Sequence, residues 1–362
     1  MTNKKVNSLQ VSCLITFILV STITGIGMTN IIKITGRDAY LSVLVAGILG
    51  IIPFTIILRV NDKDNDLTIS EIVNKIFGKY LGLVVNLILD ILVIIIGIVT
   101  MYSISNFIIS QFLSDTPVMS INIVLGVVIW YGAIKGFEVV SRTGVILLIF
   151  TLILFIFSSG TLIPQIEIDN IKPFLEEGIG KPIQAGIILF LTNVVPILIL
   201  LIIPRSKITD KEKYNKYLII FYILGFSMAF ITTFLTISIM GINLASIHQY
   251  PKYAVLKKIS LFGFLDRIEN IISIKWIFRC FMMLSVVVYY ISNSIKKDNN
   301  SKILSFVIVT IIVVGSLWYF KNNTMFNEFI LNKYPYINLV LFVLMTIIGV
   351  VWIIKRKKVR DN

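Results

Sequence analysis

Apolar runs of about 18 residues or more alternate along the chain with short connections rich in charged and turn residues. At about 1.5 Å per residue each run can cross a hydrocarbon layer of about 30 Å. The pattern predicts ten spans, at 8–34, 38–60, 80–113, 117–135, 139–163, 183–204, 214–241, 267–295, 302–320 and 336–354. Ahead of the third, Thr68-Ile-Ser-Glu-Ile-Val-Asn-Lys-Ile-Phe-Gly78 has apolar residues at helical spacing and predicts a short helix lying at the membrane surface. The third span is too long for one perpendicular crossing, which predicts tilt or an extension beyond the bilayer. In the 167–181 connection, Phe174-Leu-Glu-Glu after Pro173 predicts a short helix within an ordered loop. The longest connection, 243–269, is expected to be partly helical and packed on the bundle, with His248 at its surface.

An even number of spans puts both termini on one side, and the basic residues then test the assignment. Connections on the side of the termini hold 21 Lys or Arg and those on the other side hold 10, leaving Lys275 and Arg279 inside the eighth span. This bias places both termini in the cytoplasm. It also accounts for the net charge of +14 without nucleic acid, since the cations sit beside apolar runs and form no basic stripe with interleaved aromatics. Composition agrees: 57% of the 362 residues are hydrophobic and 14% charged, with a mean hydropathy of +0.92. The whole chain, 1–362, reads as one polytopic membrane domain with no sizeable soluble part. Lys4 and Lys5 precede an apolar stretch that lacks a small-x-small cleavage pattern, so the first span is expected to be retained.

Two spans carry residues that weaken a helix where water cannot rescue its backbone. The first reads Val20-Ser-Thr-Ile-Thr-Gly-Ile-Gly-Met28. The sixth reads Leu191-Thr-Asn-Val-Val-Pro196, where the proline lacks a donor and clashes with the carbonyl of Thr192. Interruptions five spans apart fit two inverted five-helix halves, about 8–163 and 183–354, with a binding site between them at the midplane. An anionic ligand group would meet free backbone N–H groups around Ile26 and Gly27, the polar Thr24 lying beside them and the small Gly25 and Gly27 permitting close approach. Carbonyls freed near Thr192 and Asn193 by Pro196 would face a cationic group.

Chemistry of other kinds finds little support. One histidine and no acidic cluster leave no catalytic set, no metal site and no cofactor to place. Cys13 and Cys280 read as buried free thiols. Asp90 is either a coupling group within the membrane or an acid hydrated or paired near the cytoplasmic interface. Lys275 and Arg279 are expected to snorkel or to pair with Asp266 and Glu269.

Several stretches carry a family resemblance. They are Thr35-Gly-Arg-Asp-Ala-Tyr-Leu-Ser-Val-Leu-Val-Ala-Gly47, Gly136-Phe-Glu-Val-Val140, Pro173-Phe-Leu-Glu-Glu-Gly178, Tyr250-Pro-Lys-Tyr-Ala254 and Leu261-Phe-Gly-Phe-Leu-Asp-Arg-Ile-Glu269. In these the chain resembles the B subunits of spore germinant receptors, in the amino acid/polyamine/organocation transporter superfamily. The resemblance implies an all-α, 5+5 inverted-repeat (LeuT-like) fold with helices one and six broken, and residence in the spore inner membrane. It further implies assembly with a receptor A subunit and a C lipoprotein, and a small nutrient such as an amino acid as ligand. Helices one, three, six and eight then line the site, adding Thr100 and Tyr102 from span three and Ser285 and Tyr289 from span eight. A proton- or cation-coupled amino acid transporter, or a conducting path within an oligomer, would use the same architecture.

Overall fold

The structure is a computed structural model that describes residues 5–21, 26–61, 66–257, 268–295 and 302–361. Regular structure among them is helical, apart from one parallel bridge between Val6 and Ile208. The helices are α1 (Ser8–Ser21), α2 (Ile26–Thr35), α3 (Ala39–Leu49), α4 (Ile51–Val60), α5 (Ile69–Gln111), α6 (Val118–Lys135) and α7 (Phe137–Leu162). There follow α8 (Gly180–Leu189), α9 (Tyr214–Ile247), α10 (Pro251–Leu256), α11 (Ile268–Ile295), α12 (Lys302–Tyr319), α13 (Asn323–Asn332) and α14 (Tyr334–Asp361).

Nine helical stretches among the described residues are long and apolar enough to cross a bilayer, and Ser8–Val20 is a shorter apolar helix. Where the sequence predicts one first span, the structure has α1 and α2. Thr24 and Gly25 lie between them, outside the described residues. From α2 the chain passes through a 3₁₀ turn, Gly36–Asp38, into α3, with Gly36 at φ +60°. The expected surface helix is present: Thr68 and Glu71 form a capping box at its start, and Gly78 bends the chain at φ 78°, ψ −177°. Asn86 folds the short helix back on the span by donating to Ser70 O and Asn74 Oδ1, both at 3.2 Å. Gly241 similarly ends the straight part of α9, where the sequence places the end of span seven.

One expectation needs correction, and one helix was not foreseen. After Pro173 the chain makes turns in place of a helix, and the helical piece of that connection is a 3₁₀ segment before the proline, Ile168–Ile171. The helix α13, capped by Asn322 through its bond from the Met325 amide, lies in a stretch too polar to stand out by hydropathy.

Helices meet closely where one lacks a side chain. A Cβ added at Gly225 of α9 would lie 3.4 Å from Thr16 Cα and 2.9 Å from Leu19 Cδ1 of α1, so small residues set this approach. Outward faces of α5 and α7 expose Leu81, Leu83, Leu87, Ile149, Ile153 and Ile156, a surface suited to hydrocarbon and not to water.

The two ends of the bundle differ. At one end Val6 pairs with the segment after span six, with Val6 N–H donating to Lys207 O and Thr209 N–H to Val6 O, each at 2.9 Å. Lys355 reaches Ile76 O near that end at 3.5 Å. At the other end Arg37 meets Lys172 O, and the Leu175 amide donates to Asp38 Oδ1 at 3.2 Å.

Asp210 holds the start of α1. The Ser8 amide and hydroxyl donate to its two carboxylate oxygens, both at 2.6 Å, placing an anion on a helix N-terminus. Burial acts to raise the Asp210 pKa, but the bonds from Ser8 outweigh it and the carboxyl titrates below its ordinary range. A depressed carboxyl contributes stability at neutral pH and loses it as pH falls through the depressed value. Asp210→Asn is therefore expected to destabilise the purified protein by about 1 kcal/mol at pH 7. The gap between variant and wild type should close in acid, and thermal melts from pH 7 to pH 3 check it. A gap that does not change with pH would show that the charge is irrelevant.

Candidate functional site

The chain leaves α geometry in the middle of its sixth apolar span. After Leu189 comes one π-helical turn, Phe190–Val194, and then a 3₁₀ helix, Val195–Ile202. Pro196 explains the place: it has no N–H for the Thr192 carbonyl and its ring crowds that oxygen, so the ladder widens before the proline and tightens after it. Every residue from Val195 to Ile202 is buried, with α1, α4, α5, α11 and α14 packed around the segment. An apolar segment covered on all sides is the core of the bundle.

The flanking helices of the first span meet this segment in order. α1 packs against the π turn and the 3₁₀ helix, and α2 packs against α8. Asn193 Oδ1 is buried and without a hydrogen bond. Its amide donates to Leu189 O at 3.3 Å and to Thr192 Oγ1 at 2.9 Å, and the Thr192 hydroxyl donates to Ile188 O at 2.8 Å. A small cavity lies beside Asn193, walled by Leu19, Val43, Ala46, Gly225 and Phe226. Ile26 and Gly27 begin α2. One turn on, Asn30 is 5% exposed and its Nδ2 has no partner. Sequence reasoning passed over Asn30, although an amide in a membrane helix is signal enough.

The remaining predicted contacts lie elsewhere. Thr100 donates to its own helix, to Ile96 O at 2.8 Å. Tyr102 packs between Phe320 and Phe326, ring centroids 4.9 and 4.7 Å away, and its hydroxyl approaches Asn323 Oδ1 at 3.5 Å. A polar chain continues from there: Asn323 donates to Gln249 Oε1 at 3.5 Å, Gln249 to Tyr250 Oη at 3.4 Å, and Asn106 to the same oxygen at 2.6 Å. Thr29 of α2 donates to the backbone oxygens of His248 and Gln249 at 3.2 and 3.0 Å. His248 itself is exposed. On α11, Ser285 and Tyr289 line a cavity against the α6–α7 turn, with Gly136 and Phe137 opposite. Tyr289 stacks on Phe137 at 4.2 Å and accepts from Lys207 Nζ at 3.5 Å. Thus Thr192, Asn193 and Pro196 gather at the core, Tyr102 joins the network at the end away from the termini, and Ser285 and Tyr289 face the α6–α7 turn.

Among the charged residues, Asp90 is 7% exposed, with Oδ1 unpaired and the Ser294 hydroxyl bonded to the carboxyl. Lys275 and Arg279 do not snorkel, for each is 2% exposed. Glu269 makes no ion pair with either among the described residues, and Asp266 lies outside them. Cys13 and Cys280 are free and buried, as expected.

Long helices with lipid-suited outer faces around a fully buried, irregular central segment define a polytopic α-helical integral membrane protein. Comparison with known families narrows this. Residues 5–325 match the family described as spore germination protein, the spore permeases, and the chain belongs to it. It is 32% identical over 260 residues to the YfkT protein of Bacillus subtilis (strain 168), whose name also places it in spore germination, covering 70% of this chain and 69% of that one. It is 27% identical over 264 residues to spore germination protein KB of the same strain, covering 67% and 68%. Spore germination protein XB of Bacillus anthracis is 22% identical over 286 residues, covering 77% and 79%.

Proposed function

We propose that this chain is the nutrient-recognising B-type subunit of a spore germinant receptor. It sits in the spore inner membrane with both termini toward the core and acts with an A subunit and a C lipoprotein. The observation that carries this is the family match from residue 5 to residue 325. In this reading the two five-helix halves, about 8–163 and 183–354, form a LeuT-like inverted repeat whose broken first and sixth helices meet at the ligand. The π turn before Pro196, and the packing of α1 and α2 on either side of it, support that arrangement. The ligand is an amino acid or a similarly small nutrient. Its carboxylate lies at the start of α2, around Ile26 and Gly27, with the unpaired donor Asn30 Nδ2 one turn on and the unpaired acceptor Asn193 Oδ1 left for the ammonium group.

Spores test both the role and the site. Gly25→Val is expected to abolish the nutrient response at normal membrane levels, since a β-branched side chain fills the approach to the α2 N-terminus. Gly47→Val is expected to be milder. Loss of the A and C partners should silence the wild-type chain. Vesicles containing this chain alone should take up no labelled amino acid; uptake there would replace the receptor reading with a transporter. An unchanged nutrient dose response in Gly25→Val spores would move the ligand away from the helix breaks.

A further inference from the structure

Three cationic side chains converge on one cavity at the end of the bundle away from the termini. Lys275 and Arg279 stand one turn apart on α11, and Lys252 enters from α10. The cavity measures about 30 Å³ and is walled largely by aromatic rings, with Phe107, Tyr250 and Trp276 among them. Phe107 and Trp276 lie 4.1 Å apart, and Tyr250 is 5.1 and 5.5 Å from each, so the wall is a packed unit.

The hydrogen bonds of these cations go to neutral oxygens. Lys275 Nζ donates to Ser158 Oγ at 2.9 Å and to Leu154 O at 3.3 Å, and Lys252 Nζ to Thr232 Oγ1 at 3.3 Å. Arg279 Nη2 is buried and has no partner. The ion pairs among the described residues join Arg37 to Glu176, Arg142 to Glu138 and Lys181 to Glu177, and none touches this group. Burial first, then repulsion from Arg279 and Lys275, holds the Lys252 ammonium well below the ordinary lysine range.

Unpaired buried charge costs several kcal/mol per ion. Lysines can relieve that cost by shedding a proton. Arginine cannot, so the charge on Arg279 persists and calls for an anion. Its planar fork suits a carboxylate or another flat oxyanion, which it can grip through two parallel N–H bonds. Aromatic rings present positive edges and exclude water, which strengthens such a contact. The volume is that of one or two water molecules, too small for a whole nutrient and right for a small ion or a single carboxylate head.

We propose that this cavity is a binding site for a small anion, an inorganic anion or the carboxylate of an organic acid, held by Arg279, Lys275 and Lys252. It is a site apart from the helix breaks and is independent of the nutrient assignment. Tyr250 belongs both to its wall and to the polar chain that ties Asn106 and Gln249 together, and Gln249 is held by Thr29 of α2. Anion occupancy therefore bears on the position of α2.

Trp276 makes the site readable with iodide, which is both a small anion and a quencher of indole fluorescence. The full chain, purified in nanodiscs, is titrated with sodium iodide replacing sodium gluconate at constant ionic strength. Quenching is expected to contain a saturable component that disappears in Trp276→Phe. In Arg279→Gln the iodide affinity should fall about 10- to 100-fold, the loss of one charge-assisted contact. Should Arg279→Gln fail to fold, Lys252→Gln, on the short helix α10 outside the spans, is expected to show the same direction of change. Competition by sodium nitrate but not sodium acetate would assign the site to inorganic anions, and competition by both would extend it to carboxylates. Quenching that rises linearly in the wild type, or that saturates unchanged in Arg279→Gln and Lys252→Gln, overturns the proposal.

Discussion

Gly186→Val is expected to prevent the protein from accumulating, or to lower its melting temperature more than any surface change. Gly186 lies where α8 presses on α3. A Cβ there would sit 2.6 Å from Val45 Cβ and 3.1 Å from Ser42 O. Neither atom is the free end of a flexible side chain, so the helices themselves must part. Overpacking of this kind costs about 1–3 kcal/mol and sometimes more, and valine adds two further methyl groups. The strain falls one turn before the π turn at Phe190, so the arrangement around Asn193 would shift with it. Gly160→Val is the control, because nothing lies within 4 Å of a Cβ at that position. Membrane levels and thermal melts of the two variants decide the matter, and equal stability would mean that the α3–α8 approach is not tight.

The second large effect is expected at Arg205, which is 1% exposed. Its guanidinium donates to Asn61 O at 3.0 Å, to Asn215 Oδ1 at 2.8 Å and to Lys211 O, and lies 4.5 Å from the centre of the Tyr214 ring. It thereby ties the end of α4 to the start of α9 directly below the buried 3₁₀ helix. Arg205→Met removes three charge-assisted bonds and leaves buried carbonyl oxygens without donors, a loss of about 3 kcal/mol or more. Arg205→Lys is expected to recover little, since one compact ammonium cannot span three separated acceptors. Thermal unfolding of both variants tests this; a lysine variant as stable as wild type would show that charge alone suffices.

Hydropathy made most of the helices legible because each is longer than anything a connection could imitate. Local chemistry added the bends: Gly78 and Gly241 end the predicted surface helix and the seventh span where the structure bends. Pro196 disclosed the irregular stretch, although the π turn ahead of it is a matter of backbone geometry that a residue list does not carry. Rotation about helix axes was not legible. Ser285 and Tyr289 share a face by their spacing, but which neighbour that face meets depends on packing, and the structure turns it to the α6–α7 turn. Lys275 and Arg279 misled for a related reason. Near the end of a hydrophobic span a cation usually reaches water, whereas here α10 and the end of α5 close over it. The turns after Pro173 and the helix α13 were lost to weak local signals in polar sequence.

Beyond the bend at Gly78, α5 runs to Gln111 without interruption. Those residues, at 1.5 Å each, reach about 50 Å, well past a hydrocarbon layer of about 30 Å. The lipid-facing leucines cluster near its beginning, at Leu81, Leu83 and Leu87, while Phe107 near its far end is enclosed by Tyr250, Tyr253 and Trp276. Such an overhang acts as a post that carries a roof: it sets the aromatic chamber about 30 Å along the helix from Leu87, at the opposite end from its exposed leucine foot.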